Sequence, residues 1–185
     1  MVRTLIGGLL GGFALYLVGF IFWGTPLSGI AFAQAGDAQN LAVHQALASN
    51  LAATGSYLVP DPGTPTGTAL FGQGPIAMVH FVSQGFPVID GSSLLLGLIL
   101  SLIAGIIIAV ALDAVTPANR LRTGLLFALA VTAYLDLGQP IFNHYGWGYF
   151  IYLFLGDLIG FGVAVAVSTW FLGRSSGHQV QEPHG

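Results

Sequence analysis

Cysteine and lysine are both absent from this 185-residue chain, and glutamate occurs once, at Glu182. Without cysteine there is no disulfide and no thiolate metal site, so any exposed segment stands without covalent staples. Charged residues make up 6% of the chain, against about 25% in ordinary soluble domains. The four arginines are scattered along the whole length and the formal net charge is −3. No basic patch exists for a phosphate backbone to dock on, which excludes a nucleic-acid partner.

Apolar residues, by contrast, make up 55% of the chain, with a mean hydropathy of +0.82. They gather into four runs at residues 4–23, 93–112, 121–137 and 149–172. At 1.5 Å of rise per residue, about 20 helical residues cross a hydrocarbon core of roughly 30 Å. Three runs meet that length. The third is short and contains Arg122, which reaches the interface by snorkelling. The expected fold class is an all-α membrane bundle of four transmembrane helices. A small α+β insert at residues 24–92 separates helices one and two.

Every arginine flanks a run on the same side: Arg3 before the first, Arg120 and Arg122 between the second and third, Arg174 after the fourth. Arginine-bearing short loops stay cytoplasmic. Both termini, the loop at 113–122 and the tail at 173–185 are therefore expected inside, with residues 35–91 outside. Trp23, Tyr145, Trp147, Tyr149 and Tyr152 cluster at the outer interface, and Trp170 and Phe171 lie near the inner one, as in an aromatic belt. The first run has a rival reading as a signal peptide, with Ala31-Phe32-Ala33 or Ala33-Gln34-Ala35 as the small-residue cleavage site. Its apolar stretch exceeds the usual 7–15 residues of such a core, which favours retention.

In the insert, Asp37 fits an N-cap for a helix over residues 40–53, with Val43, Leu47 and Leu51 on one face. Gly55 fits the left-handed position after that helix. Residues 56–59 and part of 75–82 read as two antiparallel strands. The stretch 60–67 (PDPGTPTG) is dense turn chemistry, expected to be neither helix nor strand and to be the most mobile outer part. A helix on a two-stranded ribbon buries too little surface to stand alone. It must rest on the spans, on a copy of itself, or on a partner.

Each span carries small residues at helical spacing: Gly8 and Gly12, with Gly7 and Gly11 beside them; Gly97, Ser101, Gly105 and Ala109; Gly124, Ala128 and Thr132; Gly156, Gly160, Ala164 and Ser168. Such stripes let helix backbones approach closely, which replaces the hydrophobic drive that lipid removes. Asp157 lies about 12 Å along the helix from Tyr149. An aspartate at that depth costs about 2.5–3.5 kcal/mol on insertion scales, so it is expected to face protein, with Tyr134, Gln139 or Asn143 as partner. Its functional reading is an ion or proton relay; its structural one is a hydrogen-bonded helix clamp. Asp136, Gln139, Asn143 and His144 stand close together where Pro140 is expected to end the third helix. They form either an outer polar pocket or an ordinary solvated helix end.

Tyr134-Leu135-Asp136 and Leu155-Gly156-Asp157 are faintly similar to the two motifs of intramembrane aspartyl proteases, whose carboxyls share one depth and one proton. Leu135 and Phe154 break those motifs, and helical rise sets Asp157 roughly 10 Å deeper than Asp136. The expectation is no enzyme. The histidines His44, His80, His144, His178 and His184 form no ligand spacing, so no metal or other cofactor is expected.

A first span, an alanine-rich outer helix, then Gly55-Ser56-Tyr57-Leu58-Val59-Pro60 and Gly74-Pro75-Ile76-Ala77-Met78-Val79-His80-Phe81, then three more spans: this combination resembles a group of small bacterial inner-membrane proteins with no established activity. Asp157 and Gly160 also match an Asp followed three residues on by Gly in that group. The resemblance implies the bacterial cytoplasmic membrane, with the insert in the periplasm. The leading functional expectation is a non-catalytic accessory or interaction subunit that docks on a membrane-protein partner or forms a homo-oligomer. A small oligomeric transporter or channel built around Asp157 is the alternative, and an intramembrane hydrolase comes third.

Overall fold

The computed structural model describes residues 1–173; Arg174, His178, His184 and the expected cytoplasmic tail lie outside the described residues. Four helical stretches are long and apolar enough to cross a membrane: Val2–Trp23, Gly91–Asp113, Pro117–Asn143 and Trp147–Gly173. The chain forms two compact units, residues 1–33 with 91 onward, and residues 34–90.

In the first unit, α1 (Val2–Trp23) lies between α4 (Gly91–Asp113) and α7 (Trp147–Gly173), and α5 (Arg120–Thr132) lies against α7. The paired glycines of α1 explain its central place. Gly8 and Gly12 face α4: a Cβ on Gly8 would stand 2.6 Å from the Ile106 Cα, and one on Gly12 would stand 2.7 Å from the Leu102 Cα. Gly7 and Gly11, about 100° round the helix, face Ser168, Ala164 and Phe171 of α7. Two offset small-residue stripes on one helix thus serve two neighbours. The Ser168 hydroxyl, fully buried, donates to the Gly7 carbonyl at 3.2 Å and ties α7 to α1. Ala109, Leu112, Ala164, Val165 and Leu172 fill the rest of a thin core.

The third helical stretch departs from expectation. It continues past Leu137 through a π-helical segment (Ala133–Leu137) into α6 (Gly138–Asn143), and Pro140 sits inside α6 rather than ending the helix. Proline lacks an N–H, and its ring clashes with the carbonyl four residues back. A widened π turn directly before it is the local change that lets the chain continue. The helix ends at Asn143, where His144 takes the left-handed conformation at φ 57°.

The second unit holds α2 (Asp37–Asn50), β1 (Gly55–Val59), α3 (Pro65–Gln73) and β2 (Ala77–Phe81). The strands pair antiparallel, with Gly55 opposite Phe81 and Val59 opposite Ala77. Three local readings change. Gly36 is the N-cap, so Asp37 opens the helix, where its charge meets the positive end of the dipole. Gly55 lies in a strand, while among the described residues the glycine with positive φ is Gly74, at 71°. The last three residues of the supposed turn region open α3: the Thr64 side chain accepts the Gly67 N–H at 2.9 Å, and Pro65 occupies the first turn. Within this unit, residues 34–90, no apolar side chain is buried; Gly67 alone is.

Candidate functional site: two aspartates on facing helices

Polar chemistry in the first unit divides between two ends and one interior point. At one end, an Arg3 Nη2 donates to the Phe171 carbonyl at 3.2 Å, and the Thr4 hydroxyl donates to the Asp113 Oδ2 at 2.8 Å. Arg120 pairs with the Asp113 Oδ1 at 3.1 Å and donates through Nε to the Leu112 carbonyl at 2.9 Å. Arg3, Asp113 and Arg120 therefore sit together at the same end of the helices. At the other end, Phe22, Trp23, Phe32, Tyr149 and Tyr152 form an aromatic cluster with ring centroids 5.2 to 6.4 Å apart. The Tyr152 hydroxyl there donates to the Phe22 carbonyl at 2.5 Å.

The interior point is Asp136. It lies in the π segment and is only 7% exposed; its Oδ2 is fully buried, with no hydrogen-bond partner among the described residues. Asp157, half-buried on α7, is close enough to interact electrostatically with it. Depth from sequence had set the two apart because the third helix was ended at Leu137. With that helix continuing to Asn143, Asp136 lies about 10 Å inside its end, and Asp157 about 15 Å inside Trp147. The short His144–Gly146 connection then folds α7 back against the π segment. Tyr134, Gln139 and Asn143 do not serve Asp157. Tyr134 is 70% exposed, and the Asn143 Nδ2 donates to the Gln139 Oε1 at 3.0 Å.

Of the four residues expected in an outer pocket, Asp136 alone is buried. Asp136 turns inward while the other three are exposed on α6 and just past it. The packing glycines distribute as follows. Gly105 meets the backbone of Gly8 and Gly12, Gly124 meets Val165 and Leu112, Gly156 meets Phe22, and Gly160 meets Leu15 and Val18. Gly97 stands apart, with Tyr16 3.8 Å from where its Cβ would be.

One turn from each aspartate a cavity opens between α4, α5 and α7. Its volume is about 280 Å³, and Ile108, Leu112, Phe127, Val131, Thr132 and Phe161 are among its lining. Thr132 lies four residues before Asp136 and Phe161 four after Asp157, so the acids continue the two faces that wall the cavity. The Thr132 hydroxyl is already committed to the Ala128 carbonyl at 2.8 Å. Among the described residues no group of three or more His, Asp or Glu side chains gathers as a metal centre. Sequence spacing signalled each aspartate but not their meeting, which depends on the π turn.

Four apolar helices of this length, with arginines at one end and aromatic rings at the other, are compatible with a multi-pass integral membrane protein. No protein-family model matches the chain, and no curated protein or solved structure matches it either.

Proposed function

We propose that this chain is a non-catalytic accessory subunit of the bacterial cytoplasmic membrane, docking on a membrane-protein partner through its periplasmic insert. The observation that carries the reading is the insert's missing core. Leu41, Val43, Phe86, Val88 and Ile89 are all exposed within residues 34–90, which bury no apolar side chain. Large exposed apolar groups outside a membrane mark interaction sites. With no disulfide to stiffen it, a helix pair and a two-stranded sheet gain stability by binding. The glycine seams of α1 are filled by α4 and α7, which leaves the insert as the surface with most to bury.

Purification in a gentle detergent, with stoichiometry read by mass spectrometry, tests this. One protein of constant ratio is expected to accompany the wild type. The triple change Phe86→Ser, Val88→Ser, Ile89→Ser should weaken its retention by at least tenfold while leaving the helices folded. A chain that purifies alone, or a partner indifferent to these three residues, would count against docking through the insert. The second reading, a small oligomeric transporter or channel, draws on the Asp136–Asp157 pair.

A further inference from the structure

From the Asp136–Asp157 geometry we infer a site for one small monovalent cation, a proton or Na⁺, held between the two carboxyls. The inference rests on reading the four helices as membrane spans. Its starting point is the Asp136 Oδ2, fully buried and unpartnered. A buried carboxylate oxygen without a donor forfeits its hydration and gains nothing in return, unless something positive binds it. The second acid makes this sharper. Asp157 sits across the α7–π interface within electrostatic reach, and no hydrogen bond to its side chain exists among the described residues. Two ionised carboxylates that feel each other's charge in a low-dielectric interior repel. One shared positive charge cancels much of that repulsion.

Among the described residues of this unit, each cationic group is committed or placed elsewhere. On α5, Arg120 is committed to the Leu112 and Val115 carbonyls and to Asp113. Arg122 stands about 20 Å down the same helical axis. Arg3 is held at the Phe171 carbonyl, and His144, beyond the end of α6, is exposed. The remaining titratable groups on packed elements are tyrosines. Tyr134 points out, Tyr152 is bonded to the Phe22 carbonyl, Tyr149 lies in the aromatic cluster, and Tyr16 on α1 lies towards Gly97. The donor set is oxygen only, which suits a proton or a hard cation. A π turn holds Asp136 in this position, and π turns of this kind recur where a helix carries function.

The test is infrared spectroscopy of the full-length protein in lipid with isotope-labelled aspartate carboxyls, over a pH series and a Na⁺ series against K⁺. The expected result is one binding event per chain. It appears as the carbonyl band of a protonated carboxyl near neutral pH if a proton is held, or as a carboxylate band that moves on adding Na⁺ if Na⁺ is held. Asp136→Asn and Asp157→Asn should each abolish it. The wild-type series decides the matter even if a variant does not fold. Two carboxylates ionised near neutral pH and indifferent to Na⁺ would overturn the proposal, as would a response that survives in either folded variant. Topology reporters test the membrane reading separately, so the two failures can be told apart.

Discussion

Gly105→Leu should separate α1 from α4 and cost about 3 kcal/mol or more, the upper end of what overpacking does in a well-packed interior. A Cβ at Gly105 would run into the Gly8 carbonyl and the backbone of Gly12. Those atoms belong to a helix already held on its other side by α7, so α1 cannot retreat without breaking the Ser168–Gly7 bond. Gly19→Ala is the matched control, because nothing lies within 4 Å of the Cβ it adds. Helix propensity alone should make that variant neutral or up to about 1 kcal/mol more stable. Reversible unfolding in mixed micelles gives the two free energies. Engineered cysteine pairs across α1 and α4 report separation directly, since the chain brings no cysteine of its own.

With the cation site emptied, at alkaline pH and without Na⁺, Asp157→Leu should raise the stability of the helix group by about 1–4 kcal/mol, the range seen when buried charges give way to packed apolar side chains. The sign follows from the structure. No hydrogen-bond partner is orphaned by the change, since none bonds the Asp157 side chain among the described residues, and a like charge beside Asp136 disappears. Were Asp157 a clamp between helices, leucine would instead lower stability by roughly 1–3 kcal/mol. The same unfolding measurement separates the alternatives. Stabilisation by leucine under those conditions would mean that the fold has no structural need of this carboxyl.

The limits of sequence reading are local ones. The long apolar helices and the two-stranded pairing follow from patterns of period and alternation, which single positions cannot disturb. The commonest meaning of a single residue misleads at two places in this chain. Pro140 commonly marks a helix end, yet here a π turn before it carries the helix on to Asn143. Ending the helix at Pro140 places Asp136 at the rim and hides its meeting with Asp157. Thr64-Pro65 was read as turn chemistry, although Thr followed by Pro also opens helices, and here it opens α3. The doubled glycines of α1 announced close packing but not that two neighbours share them. That requires knowing which helices flank α1, and no stripe contains it.

Which side of the membrane the insert occupies decides whether the arginine reading and the docking proposal stand together. A reporter active only outside the cytoplasm, fused after Gly63, should be fully active in intact bacterial cells, and the same reporter at the C-terminus silent. Activity of a cytoplasm-restricted reporter at Gly63 would contradict the arrangement and remove the periplasmic partner with it.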